Sequence, residues 1–160
     1  MNKISIREAS KSDISTIVRF NELLALESEG ISLDRALLKE GVASAIEDPS
    51  KGSYFLAEIT ESGIKRVSGQ LMITLEWSDW RNSNIIWIQS VYVQIEDRRS
   101  GVFRSLYNHV KKIADASSEY CGLRLYVHDN NHIGINTYLK MGMVKPGYSV
   151  LETKDQLKPD

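Results

Sequence analysis

Apolar positions along the chain change period several times, and each change marks an element. Ile4 and Ile6 alternate with Ser5 and Arg7, the two-residue period of a short first strand. From Ile14 the period lengthens. Ile14, Ile17, Val18, Leu24 and Leu26 make one broad helical face, opened by the cap residues Ser10 and Ser12 and closed by Glu27-Ser28-Glu29-Gly30. A second helix is predicted from Ser32-Leu33-Asp34-Arg35, with Ala36, Leu37, Val42, Ala45 and Ile46 facing inward and Asp48-Pro49 ending it. Gly41, inside that helix, weakens it. Residues 54–59 then read as a strand, Glu61-Ser62-Gly63 as a tight turn and residues 67–76 as an antiparallel partner with a bulge at Gly69. After the polar and aromatic loop 77–82, β-branched and aromatic residues run from Ile85 to Ile95. The charged turn Glu96-Asp97-Arg98-Arg99-Ser100-Gly101 follows. It leads into a helix whose Val102, Leu106, Val110 and Ile113 form an apolar stripe, widened by Phe103, Tyr107 and Ala114. Residues 123–127 alternate as a strand, and Asn130-Asn131 breaks it. A short helix carrying Ile133, Ile135, Tyr138 and Leu139 ends near Gly142, and residues 148–151 make a last strand. From about Glu152 the tail is polar and is expected to fray.

This order of strand, two helices, three-strand meander, helix, strand, helix and strand argues a mixed α/β sheet with helices on both faces. At 160 residues the chain fits one domain, residues 1–160, long enough to bury a core. Hydrophobic residues at 42% and charged residues at 26% exclude a disordered chain, and no apolar run approaches the ~20 residues that cross a bilayer. The opening Met1-Asn2-Lys3-Ile4-Ser5-Ile6-Arg7 lacks the apolar core of a secretion signal, so a cytosolic location is expected. The formal net charge of −1 argues against nucleic acid as a partner, which calls for a clustered excess of Lys and Arg. Cys121 is alone, so no intrachain disulfide can form. Its neighbours Tyr120 and Leu123 predict a small buried residue at a strand entrance. His128 and His132 are set among Asn and Gly residues that predict a strand end and turn rather than one helical face, so no metal site is expected.

The chemistry-bearing stretch is the turn 96–101 between strand and helix. A helix N-terminus carries unpaired amides and partial positive charge, so two arginines, a serine and a glycine placed there suit a phosphate. Gly101 lets backbone amides approach a ligand or frees φ for a turn. On spacing alone two readings stand: the site of a phosphorylated cofactor, or a solvated turn.

These residues resemble motif A of the GNAT N-acetyltransferase family, in which a strand ending in alternating valines leads to Arg/Gln-x-x-Gly-x-Gly/Ala and a helix. Val91-Tyr92-Val93 matches the strand end and Arg98-Arg99-Ser100-Gly101-Val102-Phe103 the loop. Phe103 departs from the pattern, so either the helix start is displaced or the ring points away from the phosphates. A second stretch, residues 131–143, resembles the family's Asn-x-x-Ala-x-x-Phe-Tyr-x-Lys-x-Gly-Phe, with Asn131, Tyr138, Lys140 and Gly142 in register, Gly134 for Ala and Met143 for Phe. The resemblance extends from Ile4 to about Leu151.

The resemblance implies a mostly antiparallel mixed sheet in which the parallel strands 85–93 and 123–128 splay apart around acetyl-CoA. Backbone groups of Val91, Tyr92 and Val93 would meet the pantetheine arm. Amides from Arg99 through Ser100, Gly101, Val102 and Phe103 to Arg104 would hold the diphosphate, Arg98 or Arg99 adding charge and Asn131 standing on the cofactor side. By register, Tyr138 is the candidate general acid and the Val91 amide the candidate oxyanion donor. Without the motif, Tyr138 reads as an aromatic on the inner face of a short helix. Where polyamine-type members carry a carboxylate, this chain has Gln89. A water held by Gln89, or Glu76 or Asp79, is then expected to serve as base, because an amine of pKa near ~10 arrives protonated. Glu27, Glu29, Trp77, Asp79 and Trp80 are candidates for the acceptor side, carboxylates and indole faces both favouring a cation. The two tryptophans read equally as core anchors or a lip over a pocket, and Glu27 and Glu29 as a solvated helix end.

The expectation is therefore an N-acetyltransferase acting on a small amine, with a homodimer in keeping with the resemblance. A noncatalytic acyl-CoA-binding module and a protein lysine or N-terminal acetyltransferase are the rivals.

Overall fold

The computed structural model describes residues 3–153. Strands β1 (Lys3–Glu8), β2 (Ser53–Glu61), β3 (Ile64–Ser78), β4 (Ser83–Val93) and β5 (Tyr120–Arg124) form one sheet in sequence order. Neighbours from β1 to β4 are antiparallel and β5 joins β4 in parallel. Helices α1 (Ile14–Glu29) and α2 (Arg35–Glu47) cover one face and α3 (Val102–Asp115) the other, while α4 (His132–Lys140) follows β5. The expected mixed, mostly antiparallel sheet with helices on both faces is the architecture found.

Strand β2 is apolar without a break from Tyr54 to Ala57 because both its faces are buried there. Phe55, Ala57 and Ile59 pack with Leu71, Ile86 and Ile88 under Leu106 and Val110 of α3. Tyr54 and Leu56 pack with Ile17, Val18, Val42 and Ala45 of α1 and α2. Burying a side chain such as Leu106 contributes about 1.5–3 kcal/mol, so this double layer is the main source of cohesion. The helix ends follow from local chemistry. Gly30 takes φ 71° and its N–H donates to Leu26 O at 3.1 Å, while Asp34 accepts from the amides of Ala36 and Leu37 at 2.9 and 3.1 Å.

Five expectations are corrected. In α2, Ala36 and Leu37 are exposed, Leu37 by 67%; the inner face counts back in fours from Val42 to Leu38, one position off the expected stripe. The bulge between β2 and β3 falls on Ser68, the unmatched residue between Val67 and Gly69. Gly69 serves close approach instead, since a Cβ there would sit 2.8 Å from Tyr92 O. Cys121 is exposed, because the β4–β5 register steps from Asn84↔Tyr120 to Ile85↔Gly122 and leaves Cys121 as the extra residue. Residues 148–151 form no strand: Pro146 offers no N–H, Gly147 turns the chain with φ 85°, and the segment meets β5 through the Arg124 guanidinium over the Tyr148 ring at 5.9 Å. β5 itself lies earlier than expected. Among the described residues no helix is long and apolar enough to cross a membrane.

Candidate functional site

Strands β4 and β5 pair only between Asn84–Trp87 and Tyr120–Arg124. Beyond Trp87, β4 runs to Val93 without a ladder partner on its β5 side, and its backbone on that side faces a cleft of about 1140 Å³. The far part of β4 is also offset from β3. Ser90 and Val91 together oppose Leu71, a bulge in which Ser90 takes φ 49°. Val91, Tyr92 and Val93, the turn from Asp97 to Gly101, the first turn of α3 and the inner side of α4 line the cleft, joined by Leu24 and Glu27 of α1.

The turn is fixed from below. Buried Asp97 receives both arms of the Arg66 guanidinium, at 2.5 and 2.7 Å, and these bonds hold its carboxyl below the usual carboxylate range. Ser100 Oγ donates to Asp97 O at 2.5 Å, and Gln94 Nε2 donates to Val67 O at 2.8 Å. Arg98 is consumed by structure: its Nε donates to Val93 O at 3.0 Å, its Nη2 meets Glu27 Oε2 at 2.5 Å, and it stands over the Tyr92 ring. Tyr92 donates to the same Glu27 at 3.0 Å, and burial, with that carboxylate beside it, raises the Tyr92 pKa. Glu27, Tyr92 and Arg98 thus tie the end of β4 to α1.

What remains free points to an anion. Arg99 at φ 67° and Gly101 at φ 95° lead into α3, whose first internal bond is Ser105 N to Gly101 O at 2.9 Å. The amides of Val102, Phe103 and Arg104 therefore have no acceptor within the helix. Space lies open where a Gly101 Cβ would stand. Arg99 and Arg104 are exposed, and among the described residues neither has an ion-pair partner.

Phe103 does not displace the helix start, which is at Val102. Its ring turns toward α4 and meets Tyr138 edge-on at 5.5 Å between centroids. Burial raises the Tyr138 pKa, which keeps the phenol protonated at neutral pH. Asn131 caps α4 by accepting from Gly134 N at 2.9 Å, so its side chain is spent on holding that helix.

All the residues expected on the cofactor side thus come together, but the other candidates mostly do not. Gln89 donates to Thr74 Oγ1 at 2.6 Å and lies outside the cleft lining. Glu76 pairs across the ladder with Ile85, from which the strand runs roughly 20 Å to Val91 at ~3.3 Å per residue. Its Oε2 accepts from Trp87 Nε1 at 2.5 Å and from Arg124 at 3.3 Å. Trp77, Asp79 and Trp80 sit at the β3–β4 hairpin tip, exposed, Trp80 by 88%. Neither a core anchor nor a lip of this cleft describes them, because β3 carries them away from it. Glu29 ends α1 in solvent, and of the two candidate carboxylates Glu27 and Glu29 only Glu27 lines the cleft. Sequence reasoning passed over Leu24, His128, Ile133, Thr137 and Lys140 as lining residues. Three of these fall inside the second motif, which was the available signal.

The sequence matches the Acetyltransferase (GNAT) family over residues 19–143. The chain belongs to the GNAT acetyltransferase family. A possible acetyltransferase from Clostridium difficile 630 is 43% identical, covers 94% of this chain and 96% of its own, and superposes with a TM-score of 0.86. The same fold recurs in a predicted acetyltransferase with acetyl-CoA from Clostridium acetobutylicum, at 15% identity, 96% and 98% coverage and a TM-score of 0.76. It recurs again in an aminoglycoside N-acetyltransferase in complex with CoA, at 12% identity, 96% coverage of each chain and a TM-score of 0.77. No curated protein matches the chain significantly in sequence. GNAT enzymes use acetyl-CoA, and this GNAT chain fits that molecule on its own geometry: unpaired helix amides, an open Gly101 and two free arginines stand at one end of an unpaired strand edge.

Proposed function

We propose that this acetyltransferase acetylates the amino group of a small molecule, with acetyl-CoA and acceptor bound together. The observation that carries this reading is the gap between β4 and β5, with the α3 amides at one end and the Tyr138 phenol inside it. Acetyl-CoA supplies an activated acetyl thioester. The amides of Val102, Phe103 and Arg104 would hold its diphosphate, with charge from Arg99 and Arg104. Backbone groups of Val91, Tyr92 and Val93 would pair with the pantetheine in place of the absent ladder; the Val93 carbonyl keeps a second lone pair beyond its bond from Arg98. The Val91 amide would face the developing oxyanion, and Tyr138 would protonate the departing sulfur.

Direct attack is favoured over an acyl-enzyme by the state of the nucleophiles. The cleft has no cysteine, and the hydroxyls of Ser28, Ser100 and Thr137 each donate to a backbone carbonyl. The lining carboxylates are likewise engaged, Glu27 by Arg98 and Asp97 by Arg66, and His128 Nδ1 accepts from Asn130 N at 3.2 Å. Proton removal from the amine is therefore assigned to water in the open cleft. Glu76, paired with Arg124 and outside the cleft lining, is not placed to serve as that base. It stands with Trp87 and Tyr126, whose rings lie 5.9 Å apart, where β4 and β5 part, so these aromatics replace Trp77 and Trp80 in the acceptor reading. An aminoglycoside N-acetyltransferase sharing the fold agrees with a cationic amine acceptor.

The test is CoA release from acetyl-CoA with a panel of small amines and lysine peptides. Turnover is expected with small cationic amines. Binding of acetyl-CoA without turnover on any acceptor would make the chain a noncatalytic acyl-CoA module, and turnover on peptides alone would overturn the small-molecule reading.

A further inference from the structure

Beneath the β4 bulge lies a chain of buried amides and a phenol drawn from four elements. Gln70 of β3 is fully buried, at 0% exposure. Its Nε2 donates to Asn21 Oδ1 of α1 at 2.9 Å and to the Ser90 carbonyl at 3.3 Å. Asn21, also buried, donates through Nδ2 to the Tyr54 hydroxyl of β2 at 3.3 Å. Gln70 Oε1 has no partner, so this side chain is not placed for maximal hydrogen bonding. A buried polar group left half-satisfied costs stability, which points to a role other than cohesion.

The bond to Ser90 has a geometric consequence. Ser90 is a non-glycine residue at φ 49° in mid-strand, a conformation that neighbours must hold in place. Its carbonyl belongs to the same peptide unit as the Val91 N–H, and the chain has no cis bond among the described residues. In a planar trans peptide the C=O and N–H point in opposite directions. With the carbonyl held by Gln70 Nε2, the nitrogen that also meets Asn21 of α1, the Val91 N–H is fixed on the opposite side of the peptide, and Val91 lines the cleft.

We propose that Gln70, oriented by Asn21, is a positioning residue that aims the Val91 amide at the reacting carbonyl by holding the Ser90–Val91 peptide in this orientation. This rests on the assignment of the Val91 amide as oxyanion donor. Gln70 is buried and does not line the cleft; it acts through one peptide plane.

The experiment uses Gln70→Met, which keeps bulk and loses the donor. With chemistry rate-limiting, kcat is expected to fall about 10- to 100-fold, since a misdirected oxyanion donor forfeits part of the 100- to 1,000-fold that losing one costs. KM for the amine should stay within about twofold, because the acceptor's contacts are elsewhere. Binding of CoA should be unchanged while that of acetyl-CoA, whose carbonyl the Val91 amide would meet, weakens, a readout that a loss of packing would not move. Should Gln70→Met fail to fold, Asn21→Ala leaves Gln70 in place and removes the carbonyl that orients its amide; a smaller fall in kcat, about tenfold or less, is expected. Wild-type kcat in either folded variant overturns the proposal. Absence of turnover in the wild type with every acceptor would instead overturn the acetyltransferase mechanism on which it rests, and the two failures are read from different proteins.

Discussion

At the scale of single residues, two side chains that look alike in sequence are put to different uses. Arg98 and Arg99 are adjacent, yet Arg98 is bound to Val93 O and Glu27, and Arg99 has no ion-pair partner among the described residues. Arg99→Ala should weaken acetyl-CoA binding about fivefold at low ionic strength and less at high, as expected for one exposed charge. Arg98→Ala should act mainly on thermal stability, by releasing α1 from β4. Calorimetric titration beside a thermal melt separates them, and the reverse pattern would mean that Arg98 is the phosphate ligand. Tyr138→Phe keeps the ring against Phe103 and removes the proton. The loss in kcat should be roughly 100- to 10,000-fold, with acetyl-CoA affinity nearly unchanged. Because burial raises the Tyr138 pKa, its deprotonation should cut wild-type kcat only above the ordinary tyrosine value near ~10. Equal kcat in the variant, with chemistry limiting, would leave Tyr138 as packing alone.

At the scale of elements, the start of α3 carries the proposed diphosphate site. Gly101 at φ 95° is strained for any other residue, by on the order of 1–3 kcal/mol, and a side chain there would enter the space in front of the free amides. Gly101→Glu, which adds negative charge, should abolish acetyl-CoA binding in a protein that still folds; retained affinity would place the cofactor elsewhere. This element was legible in the sequence because its signals are local: a stripe at helical spacing, a glycine before it and charge in the turn. Elements whose place depends on distant partners were less so. Cys121 was read as buried from its neighbours, and only the β4–β5 register reveals the bulge that expels it. Alternation at 148–151 signalled a strand, but a strand also needs an edge that the chain reaches in register. Glu76, Trp77, Asp79 and Trp80 follow one another in sequence near the central strand, and nothing local says that β3 runs on to Ser78 and carries them off. The proposed cofactor site was readable because it is made of backbone amides at a helix start, whereas the proposed acceptor site is made of side chains brought together only by the sheet.

For the whole molecule, stability should respond to the ligand and to acid in ways the geometry sets. Acetyl-CoA at 100 times its Kd should raise unfolding free energy by about 2.7 kcal/mol, measured by urea denaturation; no gain would mean no selective binding to the native state. Acid acts through a cluster that joins β1 and β2 to the turn before α1. Arg7 donates to Asp13 Oδ2 and Oδ1 at 2.8 and 2.9 Å and to Glu58 Oε1 at 2.7 Å, while Ser10 N donates to Asp13 Oδ2 at 2.8 Å. These bonds, those from Arg7 foremost, draw the Asp13 carboxyl down to about 2 from 3.8, and Glu58 is lowered by the same guanidinium. A depressed acid pKa stabilises the fold above the unfolded value, and that contribution is lost as pH falls through the folded one. For Asp13 it is on the order of 2 kcal/mol, fully present above about pH 4 and fading toward pH 2. Asp13→Asn should therefore cost on the order of 2 kcal/mol or more at pH 7, and the gap from wild type should shrink to less than half by about pH 2. Denaturant midpoints for both proteins across that range decide it. A gap constant with pH would show that Asp13 acts through shape and hydrogen bonding rather than through its charge.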